Sequence, residues 1–239
     1  MNEVYDSLTH RALATHNNRP ASEPTRYRSP GRTLIALSGA PGSGKSTIAV
    51  EVQRRLNEKA GRPLSAIVPM DGFHYPRAYL DTLPDRDEAY ARRGAHWTFD
   101  ASGVLALARR LSRAGRDMSE IVFAPGFDHA LKDSVENAIQ ISSQVEIVIL
   151  EGNWLLFDAE PWNQIAGLVD DTWFVEVSPA IARDRIARRH LEAGIEDTWD
   201  TAISRAEKND LPNGEEIRRH LITPGVIVHS IEEPLKDSP

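Results

Sequence analysis

Residues 33–47 read Thr33-Leu34-Ile35-Ala36-Leu37-Ser38-Gly39-Ala40-Pro41-Gly42-Ser43-Gly44-Lys45-Ser46-Thr47, an apolar run, a glycine-rich turn and the opening of a helical pattern. Strand, loop and helix in that order, with G-x-x-x-x-G-K-[ST] spacing, are the context a phosphate-binding loop requires. Glycines let the backbone N–H groups turn toward phosphate oxygens, and the helix N-terminus adds the positive end of its dipole. Lys45 then reaches the outer phosphates, and Ser46 offers a hydroxyl to Mg²⁺. Residues Gly39 to Thr47 are therefore expected to hold a nucleoside triphosphate. The loop leaves open what the triphosphate is used for.

Beyond the loop, strand and helix patterns alternate. Ile48, Ala49, Val52 and Leu56 repeat at helical spacing until Gly61 and Pro63. Ala66-Ile67-Val68 and Ile121-Val122-Phe123 read as short strands, Val145–Leu150 as a strand buried on both faces, and Trp173–Val177 and Gly225–His229 as two more. Asp100 is an N-cap for a helix carrying Val104, Leu107, Ala108 and Leu111 and closed by Gly115; Ser178-Pro179 opens another. Helices are expected at Thr198–Lys208 and Gly214–Leu221, and a weakly patterned one within the first fifteen residues, with Val4, Leu8 and Ala12 on one side. The fold class expected is α/β: a doubly wound, mainly parallel sheet of about five strands on the P-loop NTPase plan, with a helical lid. Residues 1–31, proline-rich from Asn17 to Gly31, read as a lead-in, and 32–239 as one domain.

Composition narrows the partners. A chain of 239 residues with 41% hydrophobic and 26% charged residues has the balance of a globular protein. Its net charge of −7 argues against a nucleic-acid-coating surface. Apolar runs are too short to span a membrane, and the polar N-terminus does not read as a secretory signal. Without cysteine there are no disulfides or thiolate sites. The chain is expected to be cytoplasmic, with no nucleic-acid or membrane partner, a small-molecule hydroxyl substrate, and a homodimer as a candidate assembly.

In open α/β sheets the ligand lies beyond the carboxyl ends of the strands. That rule gathers the phosphate loop, Asp71, the segment around His129, and Glu151. Asp71 is placed to take a proton from an acceptor hydroxyl, although Asp71-Gly72 is also turn chemistry. Glu151, ending the most apolar strand, reads as a second anchor for Mg²⁺ beside Ser46. Arg183, Arg185, Arg188 and Arg189 could close over the triphosphate; Arg185 is assigned to the transferring phosphoryl group and Arg189 to the acceptor. Asp184 with Arg188 also reads as an ordinary i, i+4 surface pair.

Gly39–Thr47, Met70-Asp71-Gly72-Phe73-His74-Tyr75-Pro76 and Val148-Ile149-Leu150-Glu151-Gly152 together resemble the P-loop kinases that include uridine kinase, phosphoribulokinase and type I pantothenate kinase. Arg92-Arg93-Gly94, Thr98-Phe99-Asp100 and Phe127-Asp128-His129 are similar to stretches in the nucleoside- or nucleotide-kinase-like, sugar-transport-associated members. The resemblance implies a parallel five-stranded core, ATP as donor, Mg²⁺, Asp71 as general base, His129 as a substrate contact, and Phe73 and His74 in the acceptor loop. No Tyr-x-x-Arg element stands at 182–189 as in pantothenate kinases, and no Tyr-Asp-Phe stretch as in uridine kinases. The implied activity is phosphoryl transfer from ATP to a metabolite hydroxyl on a nucleoside, sugar or pantothenate-like acceptor. A regulatory ATPase or GTPase, or an inactive nucleotide-binding scaffold, is the alternative; the first would want an Asn-Lys-x-Asp element that is absent, and Asp100-Ala101-Ser102-Gly103 begins a helix.

Overall fold

The structure, a computed structural model, describes residues 1–18, 32–114, 121–128 and 130–231. Residues 19–31 of the expected lead-in, Gly115 and His129 lie outside the described residues. In chain order the elements are α1 (Asn2–Asn17), β1 (Thr33–Gly39), α2 (Lys45–Ala60), β2 (Ser65–Pro69), α3 (Arg77–Leu80), α4 (Arg86–Ala91), α5 (Ala101–Ala114), β3 (Val122–Asp128), β4 (Asp133–Ile141), β5 (Ile147–Gly152), α6 (Asn163–Ala166), β6 (Asp171–Glu176), α7 (Pro179–Glu192), α8 (Trp199–Arg205), α9 (Leu211–Arg219) and β7 (Val226–His229). A 3₁₀ turn spans Met70–Phe73, and a π-helical turn, Ala206–Asp210, joins α8 to α9.

Five strands form one parallel sheet in the order β2-β5-β1-β6-β7. Its two central strands, β1 and β5, are buried throughout, because helices cover both faces. Side-chain alternation then sorts one apolar run into two cores. Ile35, Leu37, Ile147 and Ile149 face α1 and α2, where they meet Leu8, Ala12, Ile48, Val52 and Leu56. Leu34, Ala36, Val148 and Leu150 face the other way, toward Val104, Ala108 and Leu111 of α5 and the buried Trp154 and Trp162.

The N-terminal helix is longer than its pattern indicated and is fixed by polar contacts as well as by packing. Arg11 donates to both carboxylate oxygens of Asp171 at 2.7 and 2.8 Å, and the Trp173 indole N–H donates to the same carboxylate at 2.8 Å. His16 sits within 2.9 Å of the Thr33 hydroxyl and 3.0 Å of the Glu146 carboxylate. The expected caps form where they were read: Asp100 accepts from Gly103 N at 2.8 Å, and Ser178 caps α7 with Pro179 in its first turn. Helix α9 begins at Leu211, three residues earlier than its pattern suggested, because the π turn carries the chain straight into it.

One strand expected in the sheet is elsewhere. β3 pairs antiparallel with β4, as a hairpin outside the parallel sheet. Its inner residues Val122 and Ala124 are buried while Phe123 is exposed, which suits a one-sided ribbon and not a sheet interior. β4 was not anticipated, although Val135, Ile139 and Ile141 alternate with polar residues at strand spacing. The register shifts between Ala124 and Gly126, around Pro125, which has no N–H for a ladder bond. Among the described residues no helix is long and apolar enough to cross a membrane.

Candidate active site

The phosphate loop takes its shape from two left-handed glycines, Gly42 at φ 75° and Gly44 at φ 86°. Lys45 then opens α2, so the helix N-terminus lies directly under the loop. Neighbouring elements press the loop into place. A Cβ on Gly42 would stand 2.7 Å from the carbonyl oxygen of Ala182 in α7, and one on Gly39 would stand 2.9 Å from that of Val175 in β6. Gly214 of α9 rests on Ala40, with 3.1 Å from its hypothetical Cβ to the alanine Cβ. Ala40, Pro41 and Ser43 are buried, while Ser46 and Thr47 are exposed to whatever occupies the loop.

Three polar side chains meet at the carboxyl ends of β1, β2 and β5. Lys45 Nζ lies 3.7 Å from Glu151 Oε1. Glu151 is 7% exposed, and burial pushes its carboxyl above the usual carboxylate range; Lys45 opposes that shift, Asp71 adds to it, and a hydrogen bond from Ser46 opposes it. The Lys45 and Asp71 charges and the Ser46 hydroxyl all act on this one carboxyl, which puts the four groups in one electrostatic neighbourhood. Ser46 and Glu151 supply hard oxygen donors side by side, which suits Mg²⁺ held by one or two protein ligands with phosphate oxygens and waters completing the shell. Among the described residues no three His, Cys, Asp or Glu side chains form a cage of their own.

The 3₁₀ turn that presents Asp71 is held from two sides by glycines. A Cβ on Gly72 would collide with the Pro125 carbonyl of β3, and one on Gly152 would collide with the Met70 side chain. The hairpin thus sets the position of Asp71 even though it lies outside the sheet. Gly72→Ala is expected to destabilise the fold by about 1–3 kcal/mol, the usual cost of overpacking, because the obstructing atoms are backbone. Chemical denaturation would show this as a lower midpoint; an unchanged midpoint would mean the hairpin yields freely.

The surroundings of Asp71 are aromatic. The Asp71 carbonyl accepts from His74 N at 3.2 Å and lies 2.8 Å from His74 Nδ1. The His74 ring stacks obliquely on Phe99 at 4.0 Å and Phe127 at 5.0 Å. Phe73 turns inward instead, 8% exposed, and anchors the turn in the core beside α5. Arg93 ties this segment to the hairpin, donating to the carbonyls of Lys132 at 2.8 Å and Tyr75 at 3.2 Å. Arg92 donates to Asn213 Oδ1 at 3.0 Å, joining the segment to α9 and so to the loop. Neither arginine nor Asn213 was assigned a role from sequence; the Arg92-Arg93-Gly94 stretch was the available signal.

Arg185, expected at the transferring phosphoryl group, has its guanidinium on the backbone of the phosphate loop and on the chain just past β7. It donates to the Gly42 carbonyl at 3.3 Å, Ser230 Oγ at 2.8 Å and the Ile231 carbonyl at 2.9 Å. Arg189 is exposed one turn further along α7, and no contact among the described residues brings it to Asp71 or Lys45. Asp184 pairs with Arg183 at 2.9 Å.

Glu151 also has a thermodynamic signature. A carboxyl raised above its unfolded value keeps its proton in the native state while the unfolded chain has lost it. Its contribution is therefore complete below the ordinary value of 4.5 and fades as pH rises through the raised one. In nucleotide-free protein, Glu151→Gln is expected to remove that component. The difference in unfolding midpoint between wild type and variant should then change across the weakly acidic range, the wild type losing ground as pH rises; a pH-independent difference would contradict the burial argument.

A phosphate loop at the end of a parallel β2-β5-β1-β6-β7 sheet, with an acidic strand end beside its lysine, defines a P-loop nucleotide-binding enzyme. No family model matches the chain. It is 38% identical over 200 residues to a uridine kinase-like protein of Schizosaccharomyces pombe, covering 84% of each. It is 32% identical to the ATP-dependent kinase YFH7 of Saccharomyces cerevisiae, over 82% of this chain and 65% of that one. Among solved structures, a fructose transport system kinase-like protein from Silicibacter sp. TM1040 superposes with a TM-score of 0.77 at 32% identity, covering 92% of this chain and 98% of that one. The chain belongs to the P-loop kinase family of these proteins. It is an ATP-dependent phosphotransferase with an alcohol group as acceptor.

Proposed function

We propose that this kinase transfers the γ-phosphoryl group of ATP to a hydroxyl of a small metabolite, with Asp71 as general base. The observation that carries the reading is the meeting of Lys45 with Glu151 at 3.7 Å, next to Asp71, where three parallel strands end. In this reading the loop N–H groups of Gly39–Thr47 and the α2 dipole hold the phosphates, and Lys45 meets the charge that grows on the transferring group. Asp71 accepts the proton of the attacking hydroxyl, which His74 and the rings around it orient. Ser46 and Glu151 would hold Mg²⁺, directly or through water. Bound there, the ion neutralises charge on the outer phosphates.

The burial of Glu151 has a purpose here. A carboxylate that is costly to keep charged while the site is empty gains most when a cation arrives. The acceptor class stays nucleoside, sugar or pantothenate-like. Nucleosides and sugars come first, because the relatives above are named for a nucleoside and for sugar transport. His129 is proposed as an acceptor contact, and Arg189 as a cation that reaches the site when α7 moves. The deciding experiment incubates purified protein with ATP, Mg²⁺ and pooled hydroxyl compounds. ADP release that rises with one pool identifies the acceptor, whereas release indifferent to every pool would count against metabolite phosphorylation.

A further inference from the structure

A cavity of about 230 Å³ opens beside the phosphate loop. Gly44 and Thr47 line it, so it is continuous with the place where phosphates sit. Arg185 and Ser230 line it from α7 and from the end of β7. Met1 and Tyr5, at the start of α1, close another side, and Ile48 and Ile231 complete the lining. Thr47 and Tyr5 also border a neighbouring hollow, which places the Tyr5 side chain along the rim of the loop.

Two of these groups suit a flat aromatic ligand. The Arg185 guanidinium is held by the Gly42 carbonyl, Ser230 and Ile231, and a planar guanidinium stacks on π systems. Tyr5 is held because α1 is: Arg11 locks the helix to Asp171, Leu8 and Ala12 are buried, and the Arg55 guanidinium lies 5.2 Å from the Tyr5 ring centroid. The volume is below the roughly 300–1,000 Å³ of sites that enclose a whole drug-sized ligand. It suits one ring system whose attached chain leaves through an open side, as a base does when its phosphates are anchored in the adjacent loop.

We infer that α1 is part of the donor site, with Tyr5 and Met1 packing against the purine base of the nucleotide whose phosphates the loop holds. The inference rests on the donor reading given above and adds to it a base-binding role for a helix that precedes the loop in sequence. Arg185 then serves the base and not the transferring phosphoryl group.

The test separates base from phosphates by calorimetric titration of the full chain with ATP and with inorganic tripolyphosphate. The wild type should bind ATP more tightly. Tyr5→Ala should weaken ATP roughly five-fold or more, the lower end of base–aromatic stacking, and leave tripolyphosphate unchanged. Tyr5→Leu, which keeps an apolar side chain on the helix, should show the same selective loss. Unchanged ATP affinity in both variants, or equal loss of both ligands, would overturn the inference. A wild type that binds neither ligand would sink the donor reading and this inference with it. Photolabelling of the wild type with 8-azido-ATP needs no variant: label within residues 1–17 supports the assignment, and label confined to other segments refutes it.

Discussion

Asp71→Asn is expected to lower kcat by roughly 10²–10⁴-fold, the usual contribution of a positioned general base, while leaving ATP affinity near that of the wild type. The separation of the two effects comes from geometry. Asp71 sits on a short turn after β2, held by Gly72 against the hairpin and by Met70 against Gly152, whereas the loop is pressed into shape by β6, α7 and α9. Asparagine keeps the size and the turn chemistry, so the backbone that carries His74 should survive. Removing the Asp71 charge also relieves the carboxyl of Glu151, which should become easier to ionise. Single-turnover kinetics with saturating ATP would isolate the transfer step. Collapse of ATP binding together with turnover would instead make Asp71 a metal ligand or a structural turn.

Lys45→Ala is the second large effect, and it should reach both binding and chemistry. Losing one preorganised charge at the transferring group costs on the order of 10²–10³ in kcat. The ammonium also stands 3.7 Å from the buried Glu151, so its removal leaves that carboxylate without its nearest cation. Glu151 would respond by holding its proton to higher pH, since the lysine is what opposes the effect of burial. The variant should therefore lose Mg²⁺-dependent nucleotide binding most severely at acidic pH and regain part of it as pH rises. Pairing it with Glu151→Gln gives a double-mutant cycle. Strong non-additivity in nucleotide affinity is expected for groups in contact, and simple additivity would mean the two act separately.

Much of the donor half could be read from the chain because it depends on local rules. Gly42 and Gly44 must adopt positive φ for the loop to close, and Lys45 must follow immediately to open α2. The doubly buried runs of β1 and β5 announce a parallel sheet, and Asp100 and Ser178 announce helix starts, each within a few residues of its effect. The position of Asp71 and Glu151 at strand ends was legible for a related reason: polar residues that follow buried parallel runs mark where those strands stop, and a parallel sheet places its ligand there.

What the chain did not disclose involves partners distant in sequence. β3 reads as a strand either way, and only the presence of β4 as its neighbour decides that it forms a hairpin against the Asp71 turn. The inward turn of Phe73 follows from the proximity of α5, not from the residues beside it. The partners of Arg185 come from Gly42 and from Ser230–Ile231, 143 residues before it and 45 or more after it. A propensity or a motif acts over one turn of chain, whereas these choices turn on which surfaces the folded sheet brings together. The sequence by itself determined that a triphosphate loop stands at the mouth of a parallel sheet with a carboxylate at each of two neighbouring strand ends. Only the tertiary structure decided that Lys45, Glu151 and Asp71 share one electrostatic site, that a hairpin holds the Asp71 turn, and that an N-terminal helix reaches the rim of the loop.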